Sequence, residues 1–146
     1  MSYQRKKILA AAVELYLQDG LDGFSMRKLA KQIGVTAPAL YRHYDGKEHL
    51  LADVMREAHR AFISYLYQAI EAPTPLERFV RAGQGFLDFA LEHPRWHVIL
   101  YFGPEDLGMV ELPADIEAMS GARHQFWIDR VLESMDAVNL NEGDHP

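Results

Sequence analysis

Apolar residues recur every three or four positions along most of the chain, a spacing that indicates amphipathic helices. The first helix is predicted from about Tyr3 to Asp19, because Gly20 and Gly23 follow the last residues of its apolar face. No stretch alternates between apolar and polar residues as a half-buried strand would. The pattern therefore predicts an all-α protein.

Two short helices joined by a glycine-containing turn are predicted next, over residues 25–44. Ser25 is a suitable N-cap for the first of them, and Gly34 stands where left-handed backbone often ends a helix. Thr36 can cap the second helix, and Pro38 falls in its first turn, where a missing N–H has no cost. This layout predicts a helix-turn-helix, whose second helix enters the major groove of DNA.

A long fourth helix is predicted from Lys47 to about Ala72, just before Pro73. We expect Asp45 to cap it, with Glu48 three residues later in a capping-box arrangement. At 1.5 Å per residue the helix is roughly 40 Å long. It is long enough to take part in both halves of the molecule and to transmit movement between them.

Three more helices are predicted in the remainder of the chain. They cover residues 76–93, 95–102 and 115–138. Residues 103–113 hold two glycines and two prolines and are predicted as a loop, and residues 139–146 as a polar tail. The apolar positions that define the fifth helix are Leu76, Phe79, Val80, Gly83, Leu87 and Ala90. Those that define the seventh are Ile116, Met119, Phe126, Leu132 and Met135.

Charge is distributed unevenly along the 146 residues. Residues 1–51 contain eight Lys and Arg against five Asp and Glu, a balance of +3, whereas the remainder has a balance of −9. Every lysine lies at or before Lys47. A cationic N-terminal part suits phosphate contacts, and an acidic remainder would be held away from DNA.

Composition excludes some classes of protein. The chain has no cysteine, so it forms no disulfide and uses no thiolate chemistry. No apolar run approaches the ~18 residues of a membrane-spanning helix. We therefore expect a cytoplasmic protein that does not bind membranes.

The stretch RKLAKQIGV followed by TAPALYRHYDGKEHLL, residues 27–51, resembles the DNA-binding domain of the tetracycline-repressor (TetR) family of transcriptional regulators. The resemblance covers roughly the first fifty-five residues and includes Gly20, the pair Leu40–Tyr41, and the aromatic Tyr44. It implies a homeodomain-like DNA-binding domain over residues 1–51, completed by the fourth helix to about residue 62. It also implies a helical regulatory domain over residues 52–138.

The resemblance implies double-stranded operator DNA as a partner. Tyr41 and Lys47 match positions that hold the phosphate backbone, and Arg27 could reach a phosphate or a base edge. Alanine and proline offer apolar contact, for example with a thymine methyl group, and Arg42 can supply a polar one. The candidate DNA-binding residues are Arg27, Thr36, Ala37, Pro38, Ala39, Tyr41, Arg42, His43 and Lys47. For Tyr41 a packing role, and for Arg42 and His43 a solvated face, are the alternatives.

The resemblance also implies a small-molecule effector, whose binding would release a repressor from its operator, and no cofactor. The second half is rich in aromatic residues that could line an apolar pocket, although a plain helical core would have the same composition. Gly83 and Gly85 within a helix suggest a close helix crossing or room for a ligand. The candidate pocket residues are Phe62, Tyr65, Leu66, Phe86, Phe89, Trp96, His97, Leu100, Tyr101, Phe126 and Trp127.

Members of the family are longer, on average, and their last two helices form a dimer interface. The sequence has no evident counterpart of that pair after the seventh predicted helix. We expect a homodimer of a full-length chain. For this sequence, truncation, a different dimer through Phe126 and Trp127, and a monomer all stay open.

Two other classes of function compete with a regulator. His93 and His97 have a four-residue spacing that could serve a metal-dependent enzyme, but Pro94 interrupts it and the HExxH motif is absent. There is no GxSxG motif of a serine hydrolase either. We therefore expect neither a metal site nor catalysis. A helical protein-interaction module is the remaining alternative.

Overall fold

The computed structural model describes residues 1–142, with side chains as far as Asn139, and the regular elements in that range are all helices. The all-α prediction is thus confirmed. Over the described range, none of the helices is both long and apolar enough to cross a membrane. The eight described helices are α1 (Tyr3–Asp19), α2 (Met26–Ile33), α3 (Ala37–Tyr41), α4 (Lys47–Ile70), α5 (Pro75–Glu92), α6 (Pro94–Ile99), α7 (Pro104–Leu107) and α8 (Ala114–Glu142).

The first three helices form a head around one apolar core. α1 has the predicted bounds, and Ser2 caps it by accepting a hydrogen bond from the Arg5 N–H at 3.1 Å. Two short helices have too little apolar surface for a core of their own, so α1 and the start of α4 supply the other walls. The side chains buried there include Ile8, Leu15, Tyr16, Phe24, Leu29, Leu40 and Leu50.

The 24-residue helix α4 belongs to both the head and the rest of the molecule. It contacts α1 on the head side, and α5, α6, α7 and α8 in the body. The buried apolar residues form one continuous cluster that reaches from Ile8 in α1 to Ile116 in α8. A displacement of α8 against α4 therefore has a continuous packed route to the head.

Three details of the prediction are wrong. Gly46, not Asp45, is the N-cap of α4, because its extended backbone takes the cap position and the Glu48 carboxylate folds back beside it. The predicted loop 103–113 contains the one-turn helix α7, where the Asp106 carboxylate accepts from the Gly103 N–H at 2.8 Å. Residues 139–142 of the predicted tail continue α8, and residues 143–146 lie outside the described range.

Helices α5 and α8 form as predicted, but they expose many of the apolar residues that define them. The buried residues of α5 are Ala82, Gly85 and Phe89. The reason is that Gly85 has no side chain and lets this face approach α4 most closely. The exposed apolar residues of these two helices include Leu76, Val80, Leu87, Ile128, Val131, Leu132, Met135 and Val138.

Candidate nucleic-acid interface and apolar cavity

The turn between α2 and α3 is fixed by hydrogen bonds around Gly34. Gly34 has a φ of 72°, in the left-handed region that favours glycine, and the Val35 N–H donates to the Ala30 carbonyl at 3.0 Å. Two residues later, the Thr36 hydroxyl oxygen accepts from the Ala39 N–H at 3.3 Å and starts α3. The chain thus passes from one helix to the next with little freedom in the angle between them.

The inner side of α3 anchors it in the head. Leu40 is fully buried, and the ring of Tyr44, just after the helix, is also buried. With these residues directed inwards, Pro38, Tyr41 and Arg42 lie exposed on the outer side. Each candidate on this helix keeps surface available to a partner: Thr36, Pro38, Tyr41 and Arg42 are exposed, and Ala37, Ala39 and His43 are half-buried.

The head carries basic side chains that are not engaged by acidic groups of the described chain. Within residues 1–139, no carboxylate forms an ion pair with Arg27, Lys31, Arg42 or Lys47. Arg27 and Lys31 are four residues apart on α2 and therefore share one side of it. Accessible cations of this kind are the groups that can exchange counterions for DNA phosphates.

Lys47 and Tyr41 occupy positions suited to phosphate. Lys47 is the first residue of α4, where backbone N–H groups without helical partners also attract anions. Its Nζ lies 6.0 Å from the centre of the Phe24 ring, so its stem packs against the head. Tyr41 is 48% exposed, so about half of its surface is accessible to a partner. This exposure favours a contact with a phosphate over a role in packing alone.

A polar network, buried at Tyr44 and Asp53, lies directly behind α3. The Tyr44 hydroxyl donates to Asp53 Oδ2 at 2.7 Å, and Arg56 Nη1 donates to Asp53 Oδ1 at 2.7 Å. Arg56 also forms a two-pronged ion pair with Asp115 at the start of α8, at 2.6 and 2.9 Å. Burial, reinforced by Asp53, raises the pKa of Tyr44 to about 12, so this phenol keeps its proton. The network links the head to both α4 and α8.

An apolar cavity of about 290 Å³, open to solvent on the side of Ile63, Tyr67 and Ile70, lies between α4 and α8. Three of the predicted pocket residues, Phe62, Leu66 and Phe126, line it. Its other lining residues are His59, Ile63, Tyr67, Ile70, Met119, Ala122 and Arg123. The cavity therefore sits beside the ion pair between Arg56 and Asp115, one to two helical turns away along each helix.

The remaining predicted pocket residues lie around this cavity rather than on its surface. Phe86 and Phe89 pack edge to face against Phe62, and Trp127 packs edge to face against Phe86 and Phe126. The distances between ring centres are 5.2–6.1 Å. Tyr65 donates to Glu92 at 2.9 Å beside a separate, polar cleft between α4 and α5. Trp96 lies against α1, Leu100 is buried, and Tyr101 is exposed. His97 packs between Phe86 and Tyr101.

Among the seven cavity residues that were not predicted, His59 and Arg123 are the two with basic side chains. Burial, followed by the charge of Arg123, lowers the pKa of His59 to about 4, so its ring is neutral at pH 7. Burial also lowers the pKa of Arg123. The sequence contains a signal that could have predicted these two residues. His59 lies between Met55 and Phe62, and Arg123 between Met119 and Phe126, at the spacing of one helix face. A lone polar residue within an apolar stripe marks a buried polar site.

The two histidines considered for a metal site contact different groups. His93 Nε2 hydrogen-bonds the Tyr65 hydroxyl at 2.8 Å, whereas His97 is directed between aromatic rings. In the portion that the structure describes, no three histidine, aspartate or glutamate side chains group closely enough to hold a metal ion. The geometry gives the enzyme alternative no support.

A head with an exposed recognition helix, accessible cations around it and a helical body defines the class of helix-turn-helix proteins. Residues 8–54 match the family model described as bacterial regulatory proteins, tetR family. Residues 8–54 thus form a DNA-binding domain of the tetR type, and the resemblance inferred from residues 27–51 is confirmed.

Similarity to known proteins extends beyond the head. The chain is 26% identical over 139 residues to the HTH-type transcriptional repressor KstR2 of Mycolicibacterium smegmatis, a match that covers 90% of this chain and 65% of the relative. It is 44% identical over 55 residues to the tetracycline repressor protein class A of Escherichia coli, over 38% of this chain and 25% of that repressor. The chain thus spans less than two thirds of the length of these relatives.

The fold also matches solved structures over nearly the whole chain. A crystal structure of AibR in complex with isovaleryl coenzyme A and operator DNA superposes with a TM-score of 0.67 at 23% identity, over 98% of this chain and 76% of that one. At this level of identity the match establishes the fold of the head and of the helical body together.

Proposed function

We propose that the protein is a ligand-responsive, DNA-binding transcriptional regulator, and specifically a repressor that a small molecule releases from its operator. The observation that carries the proposal is the set of four accessible cations on α2, at the C-cap of α3 and at the start of α4, next to the exposed side of α3. The match of residues 8–54 to the tetR family model supports it, as does similarity to two proteins that are themselves named repressors. Such a protein meets its operator in the cytoplasm.

In the proposed complex, α3 enters the major groove. Tyr41 and Lys47 hold phosphates on either side of the groove, and Arg27 reaches a phosphate or a base edge. Ala37, Pro38 and Ala39 provide apolar contact with thymine methyl groups, which leaves Arg42 and His43 as the polar readers. Thr36 contributes a hydroxyl at the start of the helix. Specificity would thus come from few polar contacts and from shape.

The effector would act through the cavity between α4 and α8. Occupation of this cavity can change the spacing of the two helices, and the Asp53–Arg56–Asp115 network connects that spacing to Tyr44 behind α3. AibR, solved in complex with isovaleryl coenzyme A and operator DNA, supports a ligand-binding body on this fold. An effector shifts the equilibrium only by its difference in affinity for the two arrangements.

The proposal includes a homodimer. An exposed apolar stripe on α8, formed by Ile128, Val131, Leu132, Met135 and Val138, is the surface that supports it. Two linked heads bind a two-part site far more tightly than one head binds half of it. Analytical ultracentrifugation with and without the operator measures this state directly. A monomer on a single half-site would refute the dimer and leave DNA binding untouched.

Selection of bound duplexes from a random pool tests the function. We expect enrichment of a short palindrome, because a two-fold dimer reads two half-sites about one helical turn apart. A matched selection with Tyr41→Ala and Lys47→Ala together should recover much less DNA but the same sequence, because phosphate contacts contribute affinity and not sequence preference. Recovery of no sequence preference by the unaltered protein would refute a sequence-specific regulator.

A further inference from the structure

Arg123 is a half-buried cation that no described acidic side chain neutralises. Its guanidinium carbon lies 4.5 Å from the centre of the Tyr101 ring, and Nη1 donates to the Leu100 carbonyl at 2.9 Å. No carboxylate among residues 1–139 pairs with it. Withdrawing a cation from water without a counter-ion is costly, and such charges in proteins are normally paired. The guanidinium is therefore suited to receive an anion.

Two histidines close enough to Arg123 for its charge to lower their pKa have a ring nitrogen without a hydrogen-bond partner in the described range. The Nε2 atoms of His59 and His97 are buried and have no hydrogen-bond partner within the described range. His59 is only 2% exposed, and it lines the cavity together with Arg123. Burial and the neighbouring guanidinium lower the pKa of both histidines, so both rings are neutral near pH 7. An unsatisfied polar atom of this kind normally has a ligand or an ordered water.

Apart from His59 and Arg123, the cavity lining is mainly apolar. Phe62, Leu66 and Phe126 form its inner walls, and its volume is about 290 Å³. A dry cavity of about 150 Å³ is large enough for benzene, so this one has room for roughly ten to twelve non-hydrogen atoms. The cavity therefore has a cationic group at one end and apolar walls elsewhere, which suits an amphipathic ligand with an anionic head.

We propose that this cavity binds an apolar monocarboxylic acid, with its carboxylate on Arg123 and His59 and its hydrocarbon part against Phe62, Leu66 and Phe126. A carboxylate matches the planar guanidinium with charge-assisted hydrogen bonds, and the neutral imidazole supplies an N–H donor. A cationic ligand would be repelled by Arg123. That this acid is the effector rests on the proposed function, whereas its binding in the cavity does not.

Calorimetric titration of the whole chain, without DNA, tests the site with sodium octanoate and 1-octanol. The two probes have the same chain length and differ in the charged head. We expect octanoate to bind at least about tenfold more tightly than octanol, the effect of a charge-assisted hydrogen bond. Arg123→Met should abolish that preference, because it removes the cation that distinguishes the two probes. Ala122→Phe, which fills the cavity, should weaken the binding of both probes.

Arg130→Met is the matched control. Arg130 lies on the same helix but already pairs with Glu133 at 2.7 Å, so its loss should leave the preference for octanoate intact. Equal affinity of the unaltered protein for both probes would overturn the proposal, whatever the folding of the variants. A preference that survives Arg123→Met, or that Arg130→Met removes, would overturn it too. Because DNA is absent from these titrations, a failure of operator binding would not alter their outcome.

Discussion

The contact between α4 and α5 depends on Gly85, and a single methyl group tests it. A Cβ at position 85 would lie 2.6 Å from the Tyr65 carbonyl oxygen of α4, closer than such atoms approach. Because that oxygen belongs to the backbone, the two helices must separate to admit it. At Gly83, two residues earlier in the same helix, the corresponding position has no atom within 4 Å from the rest of the described chain, apart from its neighbours in its own helix. Both Gly85→Ala and Gly83→Ala raise helix propensity, but only Gly85→Ala creates a steric conflict. The difference between the two variants therefore measures the conflict alone.

The magnitudes follow from two opposing effects. Alanine in place of glycine within a helix stabilises by about 0.5–1 kcal/mol, and this gain applies to both variants. Overpacking at a tight contact costs typically about 1–3 kcal/mol and applies to Gly85→Ala alone. We therefore expect Gly83→Ala to stabilise the protein and Gly85→Ala to be less stable than Gly83→Ala by about 1–3 kcal/mol. For a chain of this size, that difference corresponds to very roughly 2–12 °C in Tm.

Urea unfolding followed by helical circular dichroism measures the free energy of unfolding of each variant. The comparison requires equal m-values, since a change in m would indicate a change in the denatured state rather than in the contact. Equal stabilisation by both substitutions would refute the reasoning, because it would mean that α4 and α5 do not approach as closely as described. Since this contact positions Phe86 and Phe89 against Phe62, it also sets one wall behind the cavity.

Other expected outcomes concern the head and the buried polar groups. Lys47→Ala should weaken binding to all duplexes alike and lower the salt slope by about one unit; an unchanged slope would exclude its phosphate contact. His59 has a folded pKa of about 4 against an ordinary 6.5, so the unfolded chain binds more protons between those values. Stability should fall by up to about 3 kcal/mol as pH drops from 6.5 to 4, and His59→Leu should flatten that decline in urea titrations. Asp53→Ala should cost about 1–3 kcal/mol, because it leaves the buried Tyr44 hydroxyl without its acceptor and Arg56 with Asp115 alone, and an unchanged stability would contradict the network.

The head was predictable from sequence because its signals are local. Ser25, Gly34, Thr36 and Pro38 each fix the backbone at their own position, and the structure places caps and turn where these residues stand. The exception at the start of α4 is also local. Asp45 and Gly46 are both acceptable cap residues, and sequence alone does not decide which of two neighbours adopts the extended backbone.

The body was less predictable because its helices offer more than one apolar face. α5 has apolar residues at 76, 80 and 87 as well as at 82 and 89, and spacing alone does not say which set is buried. The choice depends on Gly85 and on the helix opposite it. The aromatic residues were predicted as pocket walls for the same reason, and the structure uses Phe86, Phe89 and Trp127 mainly as packing behind the cavity.

The most direct test of the account is the affinity of the purified protein for a selected duplex as a function of salt. Fluorescence anisotropy between roughly 50 and 200 mM salt gives the slope of log affinity against log salt concentration, which is about −0.9 for each phosphate neutralised. The four accessible cations around α3, which are Arg27, Lys31, Arg42 and Lys47, predict a slope of roughly −3 to −4 for each head bound. Absence of binding at the lowest salt concentration, or an affinity that does not change with salt, would contradict the central claim that this cationic head binds DNA.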